Sequence, residues 1–264
     1  MSFEAKDAAR AEERVRSAYS ANAARVEARG FRDNPIYLAT KALVDWDLLE
    51  DIDLGTKDVL NVGCFEPIDE IHYARRVRSW TAIDVNPEAI AMARRIVDRE
   101  LGPRLRERLR FRVEDATRLS FPDASFDVAV SFSAIEHIPA APRRRAAMRE
   151  MARVLRPGGH MIVTVPNRYS TFLLAHLRNL KRGSDYGYSY LYGPLELKRD
   201  MRSAGLRILR FSSEWRALLV MPSFMPKPFR DLLFPLVYFG ERIGCLARKP
   251  APPGADPGPV PASP

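Results

Sequence analysis

Residues 58–70 read DVLNVGCFEPIDE, and residues 81–90 read TAIDVNPEAI. The first stretch is a short apolar run, Val59 to Val62, that reaches Gly63 and passes into a helical pattern. The second is another apolar run ending on Asp84. A strand that turns tightly into a helix brings backbone N–H groups and the positive helix end to one spot, which suits a carboxylate or phosphate. Asp84 stands 21 residues beyond Gly63, where a carboxylate at the end of a second strand can accept both ribose hydroxyls of an adenosine-containing cofactor.

The same alternation extends on both sides of this pair. Val59 to Val62, Trp80 to Ile83, Leu109 to Val113, Phe126 to Phe132 and His160 to Val165 read as buried strands. Between them Ile68 to Val77, Pro87 to Arg99 and Pro142 to Leu155 have helical periodicity, with Pro87 and Pro142 near helix starts and Pro157-Gly158-Gly159 as a stop. Such βαβ repetition predicts a doubly wound, mostly parallel sheet. A helix over Pro194 to Ala204 and a strand over Leu206 to Phe211 continue it.

The flanks have other characters. Residues 1–54 read as a helical lead-in or cap, with helices from Asp7 to Arg29 and from Pro35 to Glu50, and residues 55–249 as the main domain. Residues 167–193 break the rhythm and are a candidate substrate lid. Within them Tyr186, Tyr188, Tyr190 and Tyr192 alternate, as in a plain surface strand or in a wall over the acceptor. Residues 217–243 are apolar and basic, too charged for a membrane span. Residues 250–264, rich in Pro, Ala and Gly, have the composition of a disordered tail.

At this point the residues resemble the class I family of methyltransferases dependent on S-adenosyl-L-methionine (SAM), in the small-molecule branch that includes quinone biosynthesis. Its first motif is usually an acid, an apolar residue and Gly-x-Gly-x-Gly. Here Asn61 replaces the acid, Gly63 is the first glycine, and Phe65 and Pro67 stand where the others would be. Glu114-Asp115-Ala116, FPDASFDVAVSFSAIEHI (121–138) and MREMARVLRPGGHMIVTVPN (148–167) are similar to the later blocks, so the resemblance covers roughly residues 55–212 in order. It implies a seven-stranded Rossmann-like sheet. It also implies SAM contacts at Asn61, Gly63, Cys64, Phe65, Asp84, Val85, Asp115, Ala116 and Ser131, with Asp115 receiving the adenine amino group and Ser131 to Ser133 lining the methionine pocket.

A sulfonium methyl group is already activated, so the protein mainly has to align donor and acceptor, exclude water and, for some acceptors, remove a proton. His137 is the candidate base because it follows the fourth strand and titrates near neutrality; a packing histidine is the plainer alternative. Some quinone-pathway relatives carry Glu-x-x-Glu-His and hold a divalent metal, but here Ser133 stands at the first carboxylate, so no metal is expected. The expected acceptor is a small molecule, apolar or lipid-linked, methylated on oxygen or carbon. An RNA methyltransferase, a nicotinamide-dependent dehydrogenase and a non-catalytic relative with an altered loop are the alternatives.

Bulk properties set outer bounds. The 264 residues suit one large α/β domain with appendages. Cys64 and Cys245 are the only cysteines and are far apart, which indicates neither a disulfide framework nor a zinc site. The alanine-rich, charged start lacks the features of a secretory signal, and a cytoplasmic location is expected. The net charge of +9 divides into −2 over residues 1–57, +3 over 58–167 and +8 over 168–264. A basic end could meet the inner membrane face through 217–243; a solvated arginine-rich face explains the same excess, and nucleic acid is not favoured.

Overall fold

The apolar runs become strands because helices cover both sides of the sheet they form. In the computed structural model, which describes residues 3–29, 38, 41–170, 187–214 and 240–251, the strands are β1 (Asp58–Val62), β2 (Ser79–Asp84), β3 (Leu109–Val113), β4 (Phe126–Phe132), β5 (Leu155–Pro166), β6 (Arg207–Glu214) and β7 (Arg242–Arg248). Their order across the sheet is β3-β2-β1-β4-β5-β7-β6. Strands β1 to β5 pair in parallel, whereas β7 runs antiparallel to both β5 and β6. This is the seven-stranded, mostly parallel sheet expected, with its last strand in sequence inserted between the fifth and sixth.

The helices are α1 (Phe3–Arg29), α2 (Ile68–Tyr73), α3 (Pro87–Glu100), α4 (Pro103–Arg106), α5 (Ala141–Val154) and α6 (Pro194–Ser203). Helix α3 shows how local sequence sets an element. Asn86 caps it by accepting the Glu88 N–H at 2.9 Å, Pro87 occupies its first turn, and Ala89, Ile90, Ala93, Ile96 and Val97 bury one stripe. One face of the sheet packs Leu60, Val62, Val163 and Val165 against Met148 and Met151 of α5 and Met201 of α6. The other packs Val59, Trp80, Val128 and Ile162 against Tyr73 of α2 and Ile90 of α3. Each fully buried large side chain contributes roughly 1.5–3 kcal/mol.

Three sequence expectations change. The helix expected from Pro35 to Glu50 is, among its described residues, α-helical at Leu38 and Lys41 and continues as a π-helical turn at Ala42–Trp46 followed by turns to Asp51. The wide turn accompanies Asp45, fully buried, pairing with Lys41 at 3.0 Å and Arg242 at 2.7 Å. That turn packs against β7 so closely that a Cβ on Gly244 would lie 2.6 Å from Leu48 Cδ1 and force the buried side chains around it to shift. The glycine stop at 157–159 lies inside β5, where Gly158 has φ +81° and the register with β4 shifts between Phe126 and Val128. The helix expected to reach Val77 ends at Tyr73.

Of the candidate lid, 167–170 and 187–193 are described; of 217–243 only 240–243, and of 250–264 only 250–251, so the remainder of those expectations lies outside the described residues. Among the described residues, no helix is long and apolar enough to cross a membrane.

Candidate functional site

The carboxyl ends of β1, β2 and β4 meet at one place. Gly63 turns the chain with φ +82°, and a Cβ there would stand 2.2 Å from the Cβ of Ala134, so the turn after β1 lies directly against the turn after β4. Phe65 completes the bend at φ +36° without a glycine, a conformation that costs an L-residue on the order of 1–2 kcal/mol. Hydrogen bonds hold it there. Gly63 N and Cys64 N donate to Ile83 O at 2.8 and 3.1 Å, and Phe65 N donates to Asp84 Oδ2 at 3.1 Å. The N–H groups expected to face an anion are therefore committed to β2, and the turn contributes space and shape instead.

Asp84 sits where the spacing put it, at the end of β2. Its other oxygen accepts Asn86 N at 2.9 Å, and burial pushes its pKa up against these backbone N–H groups. Each carboxylate oxygen has a second lone pair, so two further donors can be received. Val85 beside it is 45% exposed, and Ala116 packs half-buried against the core. Asp115 accepts Thr117 N and Oγ1, each at 2.8 Å, and pairs with Arg143 at 3.1 Å. Ser131 departs from expectation. It is fully buried and its hydroxyl donates to Val62 O at 3.0 Å, so it ties β4 to β1 instead of presenting its hydroxyl to a ligand.

His137 lies in the 3₁₀ turn Ile135–His137 just after β4. Its Nδ1 is 2.6 Å from Tyr188 O, and because a carbonyl only accepts, Nδ1 carries the hydrogen. Burial pulls the imidazole pKa down to about 4, with the Tyr188 carbonyl opposing, so the ring is neutral at physiological pH. Tyr188, Tyr190 and Tyr192 do not form a surface strand. Tyr190 N donates to Glu136 O at 2.9 Å, its ring lies 3.7 Å from the Arg144 guanidinium, and Tyr192 is fully buried. Tyr186 lies outside the described residues.

Two further features lie at the site, where the sequence marks the first only as a helical lead-in or cap and does not show the second. Helix α1 crosses this end of the sheet: the Tyr19 ring stands 4.8 Å from Phe65 and 5.3 Å from His137, and Asn86 Nδ2 donates to Ser20 Oγ at 3.1 Å. A set of buried carboxyls also gathers below the turns. Asp45 and Asp69 share Lys41, each at 3.0 Å, and burial raises Asp45 less than Arg242, Lys41 and Thr164 lower it. Glu70 has no such cation and Glu136 has only the opposing charge of Arg242; burial foremost pushes each up, Glu136 to about 8, helped at Glu70 by the neighbouring Asp69. Replacement of the usual acid by Asn61 was the one sequence signal that a carboxyl should be sought elsewhere. Among the described residues no three metal-binding side chains converge.

The sequence matches the methyltransferase domain family over residues 60–163. A ubiquinone biosynthesis O-methyltransferase of Xylella fastidiosa is 30% identical over 181 residues, covering 66% of this chain and 70% of the relative. The chain belongs to the class I SAM-dependent methyltransferase family. A ubiquinone biosynthesis O-methyltransferase of Xanthomonas oryzae pv. oryzae is 31% identical over 165 residues, 60% of this chain, and the chain spans 65% of that relative's length. A putative methyltransferase from Bacillus halodurans shares the fold with a TM-score of 0.59 at 17% identity, covering 78% of this chain and 98% of its own.

For a methyltransferase of this class the residues present fit SAM. Gly63 lets the turn after β1 close against Ala134, and Asp84 stands at the strand end with acceptor capacity left.

Proposed function

We propose that this protein transfers the methyl group of SAM to a small, apolar or lipid-linked acceptor, at oxygen or carbon. The observation that carries the reading is the join of the Gly63 turn to the half-buried Asp84 carboxylate at the ends of β1 and β2. The names of the quinone-pathway relatives support the acceptor class. SAM, when bound, supplies a methyl group that needs no further activation.

The chain's own residues then align, shield and deprotonate. Asp84 would hold the ribose hydroxyls and Asp115 the adenine amino group. Helix α1, with Tyr19 over Phe65 and His137, excludes water from this end of the sheet, which strengthens every charge interaction beneath it. His137 is turned by the Tyr188 carbonyl so that Nε2 is its proton-accepting nitrogen. A hydroxyl acceptor would give its proton there as its oxygen takes the methyl group. Peripheral membrane contact through 217–243 belongs to the same proposal.

Incubation with methyl-labelled SAM and extracts containing quinone precursors tests the reading, and label should move into an organic-soluble product. Asp84→Ala should weaken SAM at least about a hundredfold in calorimetry, since two charge-assisted hydrogen bonds are lost. Unaltered affinity in this variant refutes the assignment.

A further inference from the structure

Residues 187–192 run as a strap beside the turn that carries His137. His137 Nδ1 donates to Tyr188 O at 2.6 Å, and two residues on Tyr190 N donates to Glu136 O at 2.9 Å. Both bonds use only the backbone of the strap, so its place must be fixed by contacts of its side chains. Gly187 at its start has φ +78° and lies so close to α1 that a Cβ would stand 2.8 Å from Arg14 O.

Tyr190 is held from several elements. Its ring lies 3.7 Å from the guanidinium of Arg144, which is 3% exposed and donates to Ile138 O, the residue after His137, at 3.1 Å. The Tyr192 ring meets it edge-on at 5.1 Å. Its hydroxyl donates to Glu196 Oε1 at 2.7 Å and accepts from Arg168 Nη2 at 2.6 Å, while Arg168 and Glu196 pair at 3.0 Å. Arg168 follows β5 and Glu196 lies in the first turn of α6, so the hydroxyl ties the strap to both. A guanidinium over a ring and a hydroxyl between two charged partners are directional contacts, which fix orientation as well as burial.

The tautomer of His137 depends on that orientation. With Tyr188 O in place, Nδ1 carries the hydrogen and Nε2 keeps the lone pair that can take a proton. Without that carbonyl the hydrogen can settle on Nε2, and the lone pair then points away from the end of the sheet.

We propose that Tyr190 is a positioning residue for His137: clamped by Arg144, Arg168 and Glu196, it holds the Tyr188 carbonyl on Nδ1 and so keeps Nε2 as the proton-accepting nitrogen. This rests on the reading of His137 as the base. Tyr190 acts through His137 and takes no part in the transfer itself.

Nitrogen NMR of histidine-labelled protein tests the clamp independently of turnover, the His137 signals being those lost in His137→Ala. Wild type should show one tautomer, with hydrogen on Nδ1. In Tyr190→Ala the shifts should move to an average of both tautomers, and transfer of label from methyl-labelled SAM into the organic-soluble product should slow at least about tenfold. SAM affinity in calorimetry should stay within about threefold. Tyr190→Phe keeps the ring on Arg144 and is the variant to use where alanine does not fold. It should move the shifts less and slow transfer about fivefold, the scale of one net hydrogen bond. An unmoved Nδ1-protonated tautomer in the folded variant overturns the proposal. So does a loss of SAM affinity as large as the loss of rate, because Tyr190 would then only hold this end of the sheet together. Wild-type turnover in His137→Ala refutes the base reading itself, whatever the nitrogen signals show.

Discussion

Glu136→Gln should make the protein more stable above neutral pH and leave it nearly unchanged in acid. The carboxyl is 2% exposed, one oxygen has no partner among the described residues, and burial lifts its pKa from 4.5 to about 8, with Arg242 opposing and Asp45 assisting. The folded value lies above the unfolded one. Below pH 4.5 both states hold the proton and stability is fully present; between 4.5 and about 8 only the folded state holds it, so stability falls as pH rises. At about 1.4 kcal/mol per pH unit over that window, the loss approaches roughly 4–5 kcal/mol, a large part of a typical domain's stability. An amide imitates the protonated acid and has nothing to ionise. Urea denaturation at pH 5 and at pH 8.5 measures the effect: the unfolding free energies of wild type and variant should nearly coincide at the lower pH and separate by several kcal/mol at the higher. Glu70, its pKa raised as well, leaves the variant some residual slope. Equal midpoints at pH 8.5 would refute the assignment of Glu136 as a buried acid that keeps its proton to about pH 8.

Other substitutions probe neighbouring features. Gly63→Ala must both hold φ +82° and displace Ala134 from 2.2 Å, so it should abolish SAM binding and lower the unfolding midpoint, checked by calorimetry and a thermal melt. His137→Ala should leave SAM affinity within about threefold yet lower kcat by on the order of a hundredfold, the scale of lost general-base catalysis. With its imidazole pKa at about 4, turnover in the wild type should not decline through His137 protonation between pH 8 and 6; a rate profile falling near 6.5 would contradict the buried, Tyr188-bonded ring.

How far the sequence reached depends on the range over which each signal acts. Strand and helix periodicity, the Asn86-Pro87 start of α3 and the interval from Gly63 to Asp84 are local or nearly so, since each depends on chain geometry within one βαβ unit. These were legible, and they determined the parallel half of the sheet and the place of the cofactor turn. Strand β7 was not, because RIGCLAR is a short run whose pairing partners, β5 and β6, are chosen by the whole sheet. The π-helical turn at Ala42–Trp46 was equally hidden. Its geometry goes with Asp45 meeting Arg242, 197 residues away in sequence.

The same division runs through the site. That position 61 carries an amide where the family usually has an acid is a fact of sequence. That Glu70 lies 2.7 Å from it, that Ser131 spends its hydroxyl on Val62 O, and that Tyr19 lies over Phe65 and His137 became visible only in three dimensions. The sequence alone determined which chemistry could be placed at the ends of β1 and β2, through residue type and spacing. Tertiary structure decided which carboxyls stay charged and which oxygens lack donors, because burial and distant partners set those properties and no local pattern encodes them.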